Sequence, residues 1–348
     1  MDLTGLQTLG WKPWFEQQLL ADELNLAIVR VGAHLGSLLL CLTAHEEFLV
    51  PTALMHSCGE VAVGDWLLLD KNTKRGVRRL ERESLITRKA AGEKAQTQLI
   101  AANLDTLFIV SSCNHDFNPS RLERYLALAA EANVFPVIVL TKMDLCDDPN
   151  SLQQEALRLK SGISVLTLDA RDKDQMEVLT DWCGIGQTIA LVGSSGVGKS
   201  TLAMSLGAGS ISTQPIREDD SKGRHTTTAR SIHRLTAGGL LIDTPGMREL
   251  QLADCEDGVA EVFDEIIVLA KSCRFRDCSH QAEPDCAVQL AIETGNLDPR
   301  RLNNYLKLQA EQARNAQSLH ERHQESRKQG RFYKSVQASM RRRKGGEG

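Results

Sequence analysis

The sequence predicts a chain in three packed parts: a small N-terminal β-barrel, a central α/β domain on a largely parallel sheet, and a mainly helical, cysteine-bearing C-terminal part. Three observations predict this. Residues 25–70 run as short apolar segments broken by Gly32, Gly36, Gly59 and Gly64. From Leu104 apolar segments alternate with helical patterns, and after Gly246 a helical texture is interrupted by a cysteine cluster between residues 273 and 286. At 348 residues, 42% hydrophobic and 25% charged, the chain is long enough for two or three domains, which excludes a single small binding module.

The N-terminal segments LAIVRVG, SLLLCLTA, EEFLVP and EVAVGDWLLLD carry no helical period and are separated by turn-forming glycines, so they read as strands. Their number fits an oligonucleotide-binding-type barrel, and other small barrels fit as well. The central part then reads DTLFIVSS, a Pro119-led helix to about Asn133, VFPVIVLT, a helix from about Ser151, ISVLTLDA, a helix near Gln175 to Cys183, TIALVGSSG, a helix from Lys199, and GGLLIDTPG. Strands separated by single helices imply right-handed crossovers around a parallel sheet. The expected divisions are 1–95, 96–253 and 254–348. From about Arg314 few core residues remain, and the end of the chain, RRRKGGEG, is expected to be mobile.

Composition narrows the function. No stretch approaches the roughly 20 apolar residues of a membrane-crossing helix, since the densest, Val134 to Leu140, is of strand length and contains Pro136. The opening MDLTGLQTLGWK lacks the pattern of a secretion signal, so a cytoplasmic chain without membrane contact is expected. Nine cysteines, an odd number, argue against a disulfide framework. The net charge of −4 conceals a split, with 13 basic and 4 acidic residues from Arg300 onward and 8 basic and 2 acidic residues between Lys71 and Lys89. Single-sign blocks on an acidic chain read as surfaces for a polyanionic partner.

The chemistry lies in three short motifs. GSSGVGKS follows a strand and precedes a helix, the setting of a phosphate loop. Gly193, Gly196 and Gly198 allow the tight path that turns the amides of Ser194, Ser195 and Val197 inward, and the following helix, with Thr201, presents its positive end. Lys199 suits the β and γ phosphates, and the Ser200 hydroxyl suits Mg2+. DTPG ends a strand, which puts Asp243 near the metal and lets the Gly246 amide meet the γ-phosphate. TKMD, comprising Thr141, Lys142, Met143 and Asp144, also ends a strand. The Asp144 carboxylate only accepts hydrogen bonds, so it suits the N1–H and N2–H2 of guanine, which adenine lacks. Lys142 can lie along the base and Thr141 can brace the loop.

TKMD, GSSGVGKS and DTPG together resemble the signature of guanine-nucleotide-binding GTPases, with the base motif before the phosphate motif. That order resembles the circularly permuted GTPases. Ala170 matches the place of a Ser-Ala pair that contacts the base, and Asp169 departs from it. KGRHTTT then occupies the switch position: the resemblance implies that Thr227, among Thr226 to Thr228, closes on Mg2+, and that His225 orients the attacking water. The place of the usual water-orienting Gln holds Met247, so slow intrinsic turnover is expected.

Cys273, Cys278, His280 and Cys286 form C-x4-C-x-H-x5-C. Three thiolates and an imidazole suit a structural, tetrahedral Zn2+ without an open position, the alternative being unrelated buried cysteines. CRFRDCSHQAEPDCAV and GRHTTT closely resemble the ribosome small subunit-dependent GTPases. That resemblance covers the chain from about residue 25. It implies a barrel, a permuted GTPase and a zinc domain in a monomer, and late maturation of the small (30S) subunit with GTP hydrolysis stimulated by it and coupled to release of maturation factors. Contact with 16S rRNA would use Lys74, Arg75, Arg78, Arg79, Arg82, Arg88 and Lys89, and the arm from Arg300 to Lys344 that ends in Arg341, Arg342, Arg343 and Lys344. Two competing readings are a small-molecule kinase, which leaves TKMD unexplained, and a non-catalytic, nucleotide-regulated rRNA-binding scaffold.

Overall fold

The computed structural model describes residues 3–89, 97–208, 230–243 and 255–314. Two short helices open the chain, α1 (Leu3–Gln7) and α2 (Pro13–Glu16), the latter with Pro13 in its first turn, where no amide hydrogen is needed. Leu6, Leu9, Trp11 and Phe15 bury one apolar face against Trp66, whose ring meets that of Trp11 edge-on at 4.9 Å. Five antiparallel strands follow: β1 (Ala27–Leu35), β2 (Leu38–Leu42), β3 (Glu47–Pro51), β4 (Trp66–Leu69) and β5 (Gly76–Arg79). Their order is β3-β2-β1-β4-β5. One face encloses Val29, Val31, Leu39, Cys41, Val50, Leu67 and Leu69, as period-2 alternation requires. β4 is shorter than EVAVGDWLLLD suggests because the Asp65 carboxylate accepts the Ala62 amide at 2.7 Å and holds residues 62–65 in a turn.

A hairpin, β6 (Leu85–Lys89) and β7 (Thr97–Ala102), links the barrel strands to the central part. Its Ile86, Ile100 and Ala101 join the core of the α/β layers and not the barrel interior. Strands and helices then alternate: β8 (Thr106–Ser112), α3 (Pro119–Glu131), β9 (Phe135–Thr141), α4 (Pro149–Leu157), β10 (Ser164–Thr167), α5 (Lys173–Met176), α6 (Thr180–Cys183), β11 (Thr188–Val192), α7 (Lys199–Ser205), β12 (Arg230–Arg234) and β13 (Leu240–Asp243). α3 starts where the Asn118 side chain accepts the Arg121 amide at 3.1 Å, with Pro119 in the first turn, and it buries Leu122, Tyr125, Leu126 and Ala129. α4 begins at Pro149, ahead of Ser151, because Asp148 caps it. The expected helix near Gln175 to Cys183 is instead α5, capped by Asp172, and α6, separated by the single turn Glu177–Leu179.

β10-β9-β8-β11-β13 are parallel neighbours in that order, with β11 inside the sheet between β8 and β13. The chain returns from edge strand β10 to the middle at β11, which creates a crevice at the carboxyl ends of the strands. β12 adds antiparallel to β13, and β1 pairs with β12 through Ala33 opposite Ser231 and His34 opposite Arg230. The barrel strands and the nucleotide-binding layer therefore form one continuous sheet.

The C-terminal helices are α8 (Glu256–Val262), α9 (Asp264–Ala270), α10 (Ala287–Glu293) and α11 (299–314). α8 lies close against α3 because Gly258 has no Cβ, which would stand 2.1 Å from the Ala127 carbonyl. Glu123 on α3 is fully buried and accepts from Arg300 at 3.0 and 3.1 Å, from Arg301 at 3.0 Å, and from Asn304. Arg301 also donates to the Leu159 and Val262 carbonyls at 2.9 and 2.8 Å. The first two arginines of the expected cationic arm turn inward as the seam between α3 and α11, and the arm beyond residue 314 lies outside the described residues. Glu123→Ala, which removes the buried carboxylate shared by Arg300 and Arg301 and leaves them only Asp298 and Glu265, is expected to lower stability by about 3 kcal/mol. The denaturant midpoint followed by circular dichroism checks this.

Candidate nucleotide and metal sites

β9, β11 and β13 deliver their motifs to the same edge of the sheet. Gly193 leaves β11 with φ +142, and a Cβ there would stand 2.1 Å from the Val110 carbonyl on the adjacent strand, so the loop can pass only as glycine. Gly196 and Gly198 follow at φ +83 and +99, Gly198 immediately before α7. Lys199 folds over the loop and donates from Nζ to the Gly193 carbonyl at 2.7 Å and to that of Ser194. Val197 is buried beneath the loop, whereas Ser195, Gly196 and Ser200 are exposed and Thr201 is half-buried on α7. Asp243 is exposed at the end of β13, opposite Ser231.

The base motif is braced against this loop. Thr141, buried at the end of β9, donates from Oγ1 toward the Val197 carbonyl at 2.5 Å and lies 3.2 Å from that of Ser111. Lys142 takes the left-handed conformation, φ 58, and reaches the Gly196 carbonyl from Nζ at 2.6 Å. Met143 and Asp144 form the single turn Met143–Leu145. Ala170 is buried, and its carbonyl accepts from Ser205 on α7 at 2.6 Å. Thr141, Lys142, Asp144, Leu145, Asp169, Ala170, Arg171, Gly198 and Thr201 together line a cavity of about 180 Å³. A larger cleft of about 520 Å³ lies among Asp105, Phe135, Pro136 and Ile163, at the opposite ends of the strands and away from the phosphate loop.

Two arginines at the site carry no sequence motif. Arg121, in the first turns of α3, donates to the Ser194 hydroxyl and to Asp116 at 2.9 Å. Arg171 pairs with Asp144 and Asp169, and these hydrogen bonds hold the Asp169 carboxyl below its usual range. His225, Thr227 and Gly246, with Met247, lie outside the described residues, as do Arg341, Arg342, Arg343 and Lys344.

Of the seven barrel cations, Arg78 is bound by Glu23 at 2.7 and 2.6 Å and Arg82 by Asp65 at 2.7 and 2.8 Å. Arg88 donates to Gln98 at 2.8 Å, Lys74 rests over the Phe48 ring at 4.6 Å, Arg79 is half-buried, and Arg75 is exposed. Lys89 ends β6. These residues are not one uniform cationic face, because the two best-formed pairs hold the barrel together.

The predicted metal ligands converge. The donor atoms of Cys273, Cys278, His280 and Cys286 lie within 4.8 Å of one another. Cys273 Sγ stands 3.8 Å from Cys286 Sγ and 3.6 Å from His280 Nδ1, and Cys286 Sγ is 3.5 Å from that nitrogen. A tetrahedron with Zn–S near 2.3 Å has edges of about 3.8 Å, so the donor set fits Zn2+. The surrounding loop is tied by Glu283, whose carboxylate accepts the amides of Ser279, Gln281 and Ala282 at 2.8, 3.0 and 3.1 Å.

Two outcomes follow from this geometry. Asp144→Asn turns one acceptor into a donor and should cost guanine nucleotides roughly 1.5–3 kcal/mol of affinity while sparing adenine nucleotides, as nucleotide titration would show. Protein purified without chelator should contain about one zinc per chain by elemental analysis, and Cys273→Ser or Cys286→Ser should release it and loosen the C-terminal helices.

Comparison with known proteins agrees with the site. A family model described as RsgA GTPase matches residues 79–253. The "Small ribosomal subunit biogenesis GTPase RsgA 2" of Vibrio parahaemolyticus is 54% identical over 340 residues, 97% of this chain and 94% of that protein. The "Small ribosomal subunit biogenesis GTPase RsgA" of Mesorhizobium japonicum is 47% identical over 315 residues, 89% of this chain and 90% of its own. Among solved structures, YjeQ from Thermotoga maritima superposes with a TM-score of 0.60 at 24% identity, covering 81% of this chain and 97% of that one. YloQ, described as a circularly permuted GTPase, gives 0.58 at 24% identity over 84% and 97%. The two structures speak for the fold. The family model, which spans half of the chain, and the near full-length identity to curated members establish that this chain belongs to the RsgA family of GTPases.

Proposed function

We propose that the chain hydrolyses GTP in the biogenesis of the small ribosomal subunit, with the subunit as the partner that completes the active site. The observation that carries this reading is the convergence of Asp144, the 193–200 loop and Asp243 at one sheet edge, in a chain related nearly end to end to proteins named for that process. Asp144 selects guanine, Ala170 closes the base cavity, and the amides of residues 194–198 with Lys199 hold the β and γ phosphates. Ser200 offers Mg2+ the hard oxygen donor it prefers, Asp243 would hold a water of the ion, and the bound ion would neutralise phosphate charge. Thr227 is assigned to the same ion and His225 to the attacking water. With Met247 where a hydrogen-bonding side chain is expected, the subunit has to arrange that water, and hydrolysis would favour release of maturation factors from the particle.

The zinc cluster, with α8 to α11, would present a rigid surface to the particle. Contact with 16S rRNA falls to the barrel cations not consumed by internal pairs, above all Lys74 and Arg75. Phosphate contacts depend on local charge, and each one lost flattens the salt dependence of binding.

Phosphate release measured with and without purified small subunits is the direct test. Strong stimulation, abolished in Lys199→Ala, is expected; equal release in both conditions would favour the non-catalytic scaffold. Lys74→Glu with Arg75→Glu should weaken association with the subunit and reduce its salt slope while guanine-nucleotide affinity stays at the parental value. Reversing Arg82 should instead destabilise the barrel, because Asp65 is fully buried against it.

A further inference from the structure

Arg171 has no role in the reading above, yet its guanidinium lies on the base-recognition carboxylate. Nη2 is 2.8 Å from Asp144 Oδ2 and 2.8 Å from Asp169 Oδ2, and Nε is 2.9 Å from Asp169 Oδ1. The Arg171 backbone amide also donates to Asp169 Oδ1 at 3.0 Å. Asp169 thus grips Arg171 through both side chain and main chain, and the second N–H of Nη2 crosses to Asp144, 27 residues away in sequence. All three residues line the same cavity. The arginine side chain is 66% exposed, against 34% for Asp144 and 20% for Asp169, so the cation covers the two acids from the solvent side.

A guanidinium and the N1–C2–N2 edge of guanine are chemically alike toward a carboxylate: each is a planar group that offers N–H donors and no acceptor in that direction. They compete for the same oxygens. We propose that Arg171, tethered by Asp169, caps Asp144 in the nucleotide-free protein and must be displaced by the guanine base, so that it sets guanine-nucleotide affinity without touching the phosphates. This rests on the assignment of Asp144 to guanine. It gives the Asp169 departure from the usual Ser-Ala pair a physical use, since the carboxylate holds the cap within reach while its partner is occupied by base. Arg171 is a positioning residue and acts only through Asp144.

The magnitude follows from exposure. A solvent-exposed pair is weak, so the cap is open for a sizeable fraction of the time, and the apparent dissociation constant is the intrinsic one divided by that fraction. A cap closed roughly two thirds of the time weakens binding about threefold. The effect enters through the association rate, because only the open form admits the base, and salt screens it.

The test compares the full-length parent with Arg171→Met, which keeps the length of the side chain and removes its charge and donors. GDP and ADP affinities are measured by calorimetry, and GDP association and dissociation rates by stopped flow, each at low and at high ionic strength. At low salt the variant is expected to bind GDP about threefold more tightly, through faster association with unchanged dissociation, and the gap should close at high salt. Equal or weaker GDP binding by the variant at low salt, with the parent still preferring GDP over ADP, overturns the cap while leaving the base site standing. A gain confined to slower dissociation also overturns it. A parent that binds ADP as tightly as GDP refutes the base-site assignment, and the cap falls with it.

Discussion

One buried guanidinium ties the barrel strands to the nucleotide-binding layer. Arg30 on β1 has no exposed surface, and burial pulls its ionisation down to about 10, which still leaves it charged at neutral pH. A charge in that position survives only if it is hydrogen-bonded and compensated by opposite charge nearby. It donates to the carbonyls of Leu9, Gly64 and Asn103 and to Thr188 Oγ1, and it lies over the Trp66 ring at 5.6 Å. These partners belong to the N-terminal turn, the bend before β4, the turn between β7 and β8, and the first residue of β11. Gly10 is required beside it, since a Cβ at φ +83 would stand 2.4 Å from Nη1. Asp65 and Asp105 supply compensating charge nearby and are held in turn by Arg82 and Lys12. The constraint fixes where β11 starts, and β11 ends in the phosphate loop.

From that anchor the site assembles by reciprocal bracing. The base loop holds the phosphate loop through Thr141 and Lys142, and α7, which leaves the phosphate loop, returns Ser205 to the Ala170 carbonyl. The three loops are thereby positioned relative to one another by hydrogen bonds among themselves, so the order in which the chain visits them is immaterial to their geometry. Order matters at the edges. β12, which follows the residues expected to form the switch, pairs with both β13 and β1. On the other flank, α3 carries Arg121 to the phosphate loop, Arg124 to Glu311, and Glu123 to the α11 seam. A single helix therefore touches both the nucleotide loop and the zinc-bearing part.

How much was legible in the sequence follows from how local each signal is. The places of the 193–200 loop, TKMD and Asp243 at strand ends were legible because each belongs to a few contiguous residues, where the backbone path is set by neighbours in the chain. The zinc ligands could be read for a similar reason: four soft donors within fourteen residues have few other uses. Arg171 and Arg121 were invisible because an arginine acquires its role from what it faces, and Asp144 and Ser194 are 27 and 73 residues distant. Charge counting does not show that Arg78, Arg82, Arg300 and Arg301 are ion-paired, for the same reason. Their acids, Glu23, Asp65, Glu265 and the Glu123 that Arg300 and Arg301 share, sit elsewhere in the chain and meet them only on folding.

The sequence by itself determined the local devices: the glycines that permit the tight 193–198 loop, an acceptor-only carboxylate at Asp144, a soft donor set that fits zinc, and the alternation of strands and helices that requires a parallel sheet. Only the tertiary structure decided which cations remain for a partner, that barrel and nucleotide layer share one sheet through β12 and β1, and that the base carboxylate is covered by an arginine. The physical reason is range. Backbone conformation and ligand softness act over a few residues or a few bonds, whereas ion pairing, burial and edge-strand pairing depend on distances in space that only the packed chain brings into being.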